Sequence, residues 1–457
     1  MKKVSSTPRF LDSSNSTSSN SLSENFIPTS NWIALIPLFV FVGTFLGAGI
    51  YFNDFYALPS PIAVCLGIFV AFVLLRIPFK ENMDTFLRGC GDEKILTMCI
   101  IYLLAGAFST ITKATGSVDA VVNLGINYIS PSYYPVGIFL IAAFLSLSAG
   151  TSVGAIVALG SVTMALAEQS GISVSIMGAA LLTGAMFGDN LSVISDTTIA
   201  ATQSLGCEMK DKMRTNFKVA FPAALVTVII LTVYGFSLEI DSTSTFVSKS
   251  VSWILIIPYV VVIVLSLVGM NVFVVLFLGV VLSGLMGLYL NSFDIIGFSK
   301  TTYKGFEGMS EIFYLSLLTG GLAAMVEKGG GIQFILEKIS KFIKNQHTAL
   351  IGVATLVSAV NFCIANNTVS ILISGKIAKS LNDNYEIEPR ITASLLDIFA
   401  CIVQGLLPYG AQVLLLISLS DGQINYLDLL TQAWYLHILF IFSLGLLFYK
   451  SNNPIKA

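Results

Sequence analysis

Ten runs of about twenty apolar residues, separated by short polar breaks, leave this chain few folds to adopt. They fall at 32–52, 61–78, 94–113, 172–203, 219–237, 251–268, 272–290, 312–327, 390–420 and 431–449. A helix of about twenty residues is as long as the ~30 Å hydrocarbon core of a bilayer is thick. With 55% hydrophobic and only 11% charged residues, and a mean hydropathy of +0.84, the chain cannot coat a water-soluble domain with polar groups. Inside lipid every backbone polar group must be bonded internally, and runs of this length satisfy that as helices. The predicted fold is an all-α polytopic membrane protein.

Two further apolar stretches, 134–168 and 348–381, are broken at their centres, by Ala149-Gly150-Thr151-Ser152 and by Asn366-Asn367-Thr368. Each arm is about fifteen residues, short for a crossing, which predicts re-entrant hairpins with tips at the midplane. Charge supports this count. With the N-terminus inside and both hairpins returning to the side they left, 20 of the 24 Lys/Arg fall inside, leaving Lys113, Lys249, Lys300 and Lys304 outside. Both termini are therefore expected on the cytoplasmic side of an inner membrane. Residues 1–31, with the serine-rich run SSNSTSSNSLSENF, are expected to be a disordered tail.

One span is chemically unlike the others. The stretch 172–202 carries Asp189 and Asp196 near its middle, among Gly188, Asn190, Ser192, Ser195, Thr197 and Thr198. A charge at bilayer depth costs at least ~2.5–3.5 kcal/mol on insertion scales, so such acids mark sites. Glycine and clustered hydroxyls there predict a broken helix that exposes oxygen ligands, with capping by one Asp as the plainer alternative. Na⁺ is a hard cation and takes oxygen ligands. Seven residues of intact helix would hold the two carboxylates ~10 Å apart, so they share one ion only if Gly188–Ser195 is unwound. Asp196→Asn is expected to abolish cation-dependent proton movement, because the amide keeps the shape and loses the titratable group.

The chain also repeats itself. The segment from Leu103 parallels that from Leu317, Ala149–Val153 lines up with Ala365–Val369, and Ile194-Ser195-Asp196 meets Pro408-Tyr409-Gly410. Five spans and one hairpin per half make an odd number of crossings, which predicts two inverted repeats, 32–237 and 251–449, with a site where the halves meet. The second half offers Asn366, Asn367, Thr368 and Ser370 at its hairpin tip, Gln404 beside a break at Pro408-Tyr409-Gly410, and Asp397. Asp397 is expected either to be exposed or internally paired near the inner mouth, or to serve a proton path. Glu327 and Lys328 are expected at an interfacial helix end, and Trp32, Tyr51, Trp253 and Trp434 as interfacial anchors.

Other classes find little support. A net charge of −2 gives no basic surface for nucleic acid, and two histidines with six scattered cysteines make no metal framework. The sequence lacks a Walker A motif and any nucleophile–base constellation, so a gradient-driven carrier is expected and an enzyme is not. No prosthetic group is expected; the transported species themselves, the bilayer and small solutes are the partners.

SLSAGTSVGA (146–155), the glycine-rich run to FGDNLSVISDTT (187–198) and the basic loop after it resemble the NhaC-type Na⁺/H⁺ antiporter family, across most of residues 76–420. The resemblance implies exchange of Na⁺ or Li⁺ for protons by alternating access across a cytoplasmic membrane, and it leaves a homodimer open. The family's acid-and-hydroxyl cluster falls on Asp189, Asn190, Ser192, Ser195, Asp196, Thr197 and Thr198, with Asp189 and Asp196 as Na⁺ ligands, and its hairpin motif on Gly150, Thr151 and Ser152. Where the family pattern has a proline this chain has Val193. Some relatives in sequence exchange organic acids or import amino acids. The alternative is therefore Na⁺- or H⁺-coupled transport of a small organic solute. The asparagine-rich second tip and Gln404 mildly favour it, though no buried arginine is expected to clamp a dicarboxylate.

Overall fold

A computed structural model describes residues 29–52, 58–238 and 252–448, so the serine-rich tail expected at 1–31 lies almost wholly outside the described residues. The protein is an all-α multi-pass membrane protein. Among the described residues nine helical segments are long and apolar enough to cross a bilayer. The count is eleven if two pairs bent by 46°, 295–308 with 310–328 and 426–432 with 434–447, each make one span. All ten expected spans are helices, although those at 60–74 and 253–267 are only 15 residues long.

Ten helices come first: α1 (Ile36–Phe52), α2 (Ser60–Leu74), α3 (Phe79–Cys90), α4 (Glu93–Thr115), α5 (Ser117–Tyr128), α6 (Tyr134–Ala149), α7 (Ser152–Ser170), α8 (Val174–Leu191), α9 (Asp196–Leu205) and α10 (Met209–Ser237). The remainder are α11 (Trp253–Leu267), α12 (Val272–Tyr289), α13 (Ile295–Gly308), α14 (Ser310–Lys328), α15 (Gly331–Phe342), α16 (Gln346–Ile364), α17 (Asn367–Tyr385), α18 (Pro389–Leu406), α19 (Ala411–Leu419), α20 (Tyr426–Gln432) and α21 (Trp434–Leu447). Their lengths run in parallel: α7 and α17 have 19 residues each, α8 and α18 have 18 each, and α9 and α19 have 10 and 9.

Glycines set the helix contacts that build the site. Gly184 and Gly188 form a G-x-x-x-G on α8, where an added Cβ would lie 2.2 Å from the Phe139 and Ala143 carbonyl oxygens respectively. The order 139/184 and 143/188 makes α6 run parallel to α8. Ser152 meets Asp189 while Met164 faces Gly178, so α7 runs antiparallel to α8. The α6–α7 pair is therefore a hairpin whose tip meets the break between α8 and α9. Gly150 turns the tip at φ +70°, pressed against Ile194 of that break, so both conformation and space exclude a side chain there.

The second hairpin is built alike. Asn361 Nδ2 donates to the Ala400 carbonyl at 2.8 Å and Gln404 Nε2 to the Ala365 carbonyl at 3.1 Å, so α16 runs parallel to α18. Thr392 bonds Asn382 at 2.6 Å, which turns α17 antiparallel to it. The turn residue here is Ala365 at φ 53°, a left-handed conformation that a Cβ makes unfavourable.

Hairpin arm length needs correcting. α6, with 16 residues behind a 3-10 turn at Pro131–Tyr133, is close to the expected fifteen, but α7, α16 and α17 have 19. Three of the four arms are long and apolar enough to cross, and helix register is what shows the chain turning back. Four short helices, α3, α5, α13 and α15, were not anticipated, because each mixes polar and apolar residues over 12 to 14 positions. Two of them pack across the molecule through glycine: Gly89 of α3 on Gly320 of α14, and Gly305 of α13 on Gly106 of α4.

At the peripheral positions Lys328 pairs with Glu81 at 2.7 Å, and Trp32, Tyr51 and Trp253 are exposed.

Candidate functional site

Helix α8 ends at Leu191 and α9 begins at Asp196, so the break falls at 192–195 and separates the two acids. Asp189 sits on the last turn of α8 and is 8% exposed. Its Oδ2 accepts from the Ser152 hydroxyl at 2.9 Å and from the Ser152 amide at 3.3 Å, and its Oδ1 accepts from the Ser195 hydroxyl at 2.6 Å. One carboxylate thus joins the first hairpin tip to the break. Ser195 is the N-cap of α9, accepting from the Thr197 amide, and its hydroxyl also pairs with that of Thr197 at 2.9 Å. Asp196 is therefore not a cap. It lies in the first turn of α9, exposed, where the helix N-terminus favours an anion.

A cavity of about 470 Å³ gathers these groups. Thr151, Ser152, Asp189, Ser195, Asp196 and Thr197 line it from the first half, with Gly150 at the hairpin turn; Asn366, Asn367, Thr368 and Gln404 line it from the second. It reaches Glu93 and Lys94 at the start of α4, where Glu93 is exposed, so that end is its mouth. A chain of hydrogen bonds crosses it: Gln404 Nε2 donates to Gln412 Oε1 at 3.1 Å, and Gln412 Nε2 donates to the Ser152 hydroxyl at 3.1 Å. The buried side-chain oxygens of Asn367 and Gln404 find no partner, leaving acceptors for a ligand.

Five candidate residues turn elsewhere. Asn190 Nδ2 donates to the Tyr435 hydroxyl, Ser192 to the Leu147 carbonyl at 2.8 Å, and Ser370 to the Asn366 carbonyl at 2.7 Å. Thr198 and Asp397 meet a residue whose burial was not anticipated. Lys212, wholly buried, donates to Asp397 Oδ2 and Thr198 Oγ1 at 2.6 and 2.7 Å, and Asp397 is 1% exposed. Asn216 ties the same Oδ2 to the Asn190 carbonyl at 2.8 and 3.0 Å. Asp397 is thus internally paired, and buried where exposure was the other form of that expectation.

Lys212 reads in sequence as one more inner-loop cation. It stands, however, in helical register with the buried Asn216, Val219, Ala220, Ala223 and Thr227 of α10, and that stripe was the available signal. Gln412 had a fainter one, a lone amide between Gly410 and Ser418 in an otherwise apolar segment.

The sequence profile of a family described as the Na⁺/H⁺ antiporter family matches residues 5–236 and 238–450. The malate-2H⁺/Na⁺-lactate antiporter of Bacillus subtilis (strain 168) is 25% identical over 462 residues, which cover 93% of this chain and 97% of that protein. The Na⁺/H⁺ antiporter NhaC of the same organism is 24% identical over 365 residues, covering 73% and 80%. Among solved structures, the YdaH transporter of Alcanivorax borkumensis aligns with a TM-score of 0.42 at 11% identity, over 82% of this chain and 89% of that one.

Proposed function

The chain belongs to the Na⁺/H⁺ antiporter family, and from that premise we propose that it exchanges Na⁺, or Li⁺, for protons across a cytoplasmic membrane, with Asp189 as the shared ligand. The observation that carries this reading is the setting of Asp189. It is buried except toward the cavity, and hydroxyls at two discontinuities of the backbone converge on it. Those hydroxyls can turn their lone pairs to an arriving Na⁺, adding neutral oxygens to the carboxylate's charge. A proton arriving instead occupies the same oxygens, so the two ions exclude each other. A bare carboxylate is held in place by the cost of moving an unpaired charge through the packed interior, so only the loaded carrier changes face.

We read 32–237 and 251–449 as inverted repeats. What supports this is the twofold recurrence of one contact, Gly89 on Gly320 and Gly305 on Gly106, at an offset of 214 to 216 residues. Register between the central helices agrees. Met186 meets Cys401 while Asn190 reaches Asp397 through Asn216, so α8 and α18 run antiparallel. The hairpins then enter from opposite faces. With the termini cytoplasmic, the cavity mouth at Glu93 opens to the cytoplasm, and the conformation is inward-open.

A second reading has its own support. Two helix N-termini, α7 behind Thr151 and α17 behind Asn366, border the same cavity, and such ends favour anions. A small carboxylate seated there beside Na⁺ would make the protein a solute exchanger, as the name of the malate/lactate relative suggests. Proteoliposomes loaded with a pH dye separate the two. Na⁺ pulses alone move protons if the protein is a plain antiporter, whereas a response that requires malate or lactate would replace that reading with the second.

The expectation that Asp196→Asn abolishes exchange passes to Asp189, since Asp196 is exposed and among the described residues its side chain makes no hydrogen bond or ion pair. Asp196→Asn should instead leave exchange intact and weaken Na⁺ affinity about two- to fivefold, the size of a solvent-screened charge effect. The same dye assay, titrated with Na⁺, measures it.

A further inference from the structure

The first turns of α10 present a face on the side of the helix opposite Lys212. Lys210, Arg214 and Lys218 recur every four residues and form one stripe, and all three are exposed. The stripe continues without a break into the exposed apolar residues Phe221, Leu225 and Ile229. At its basic end lies a cavity of about 1010 Å³, walled by Leu147, Leu191, Val193, Met213 and Phe217 and lined also by Arg390 of α18.

Four cations converge there, and carboxylates answer only two of them. Arg214 lies 4.0 Å from Asp211 and Arg390 lies 2.5 Å from Glu388, while among the described residues no carboxylate comes within 4 Å of Lys210 or Lys218. The cavity therefore keeps a net positive charge beside an apolar wall. From Phe217 to Ile229 the wall is about 18 Å long at 1.5 Å per residue, close to one leaflet of hydrocarbon. A soluble anion would satisfy the cations and leave that wall bare.

We propose that this groove is a binding site for an anionic phospholipid, its phosphate held by Lys210 and Lys218 and its acyl chain lying along Phe217, Phe221, Leu225 and Ile229. Val193 gives the site a functional address. It is 54% exposed into the groove and stands in the break two residues before Ser195, whose hydroxyl holds Asp189. A seated lipid thus packs directly on the segment that positions the buried carboxylate. The proposal stands on the groove alone and does not depend on which ion or solute is carried.

The test compares lipid binding to the purified full chain in detergent, by native mass spectrometry with phosphatidylglycerol and phosphatidylcholine of matched chains. Phosphatidylglycerol should be retained preferentially, and Lys210→Gln/Lys218→Gln should lower that preference about tenfold. Lys338→Gln/Lys341→Gln, which removes two exposed cations of α15 far from the groove, should leave it unchanged. Thermal unfolding without added lipid checks that both variants fold. No preference in the wild type would overturn the proposal, as would equal losses in the two double variants, because the effect would then be general surface charge. A preference that survives Lys210→Gln/Lys218→Gln would overturn it too.

Discussion

Asp189→Asn is expected to reduce Na⁺-driven proton movement to the background of empty liposomes while the protein still folds. Among the described residues the carboxylate is the only acid that accepts from the first hairpin tip and from the break at once, through Ser152 and Ser195. An amide of nearly the same shape keeps an oxygen acceptor for one of these hydroxyls, and the other can rotate to meet the amide donor. Rearranged bonds of this kind change stability by about 1 kcal/mol. What is lost is the charge, and with it both the electrostatic hold on Na⁺ and the group that can carry a proton. Dye-loaded proteoliposomes at matched protein content give the rate, and thermal unfolding in detergent verifies the fold. Residual exchange within a few-fold of wild type would move the site elsewhere.

Lys212→Met should give the largest loss of stability. The ion pair it breaks is buried on both sides, with exposures of 0% and 1%, and spans 185 residues of sequence. Removing one member strands a charge in the interior, which typically costs about 3–5 kcal/mol, whereas replacing both members can be neutral. Asp397 is poorly placed to absorb the loss, since its Oδ1 already has no partner. Asn216 would be left as the one donor to Oδ2. Lys212→Met/Asp397→Asn should therefore recover most of the loss, and unfolding of the two single variants and the double in mixed micelles gives the coupling energy directly. Additive losses would mean that the two side chains do not act as a pair.

Much of this architecture was legible because lipid makes the backbone problem severe. Apolar runs of spanning length have to be helices, so helix was found at all ten positions, with 60–74 and 253–267 shorter than a crossing needs. The breaks were legible for the converse reason, since glycine, asparagine and hydroxyls cluster there within otherwise apolar runs. Side-chain direction was harder to read. Neighbours on a helix point about 100° apart, so Asn190 and Asp189 share a motif yet face different helices, and Ser192 and Thr198 are likewise drawn to Leu147 and Lys212. Which acid is buried depends on where the helix resumes, and Ser195 takes the cap that spacing alone would equally allow Asp196. Lys212 was misread because a positive charge near a span end is usually solvated, and only its partner 185 residues away accounts for its burial. The pairing of α3 with α14 and of α13 with α4 rests on glycine contacts between distant segments, for which a single sequence gives no register.

The measurement closest to the central claim is the affinity of the purified protein for Na⁺ as a function of pH. If Na⁺ and a proton compete for Asp189, the apparent Kd should be constant on the alkaline side and rise about tenfold for each pH unit on the acid side, with one proton released per Na⁺ bound. Asp189→Asn should abolish binding across the range. A Kd that stays flat from about pH 5 to pH 9, or an Asp189→Asn variant that binds Na⁺ as the wild type does, would contradict the account.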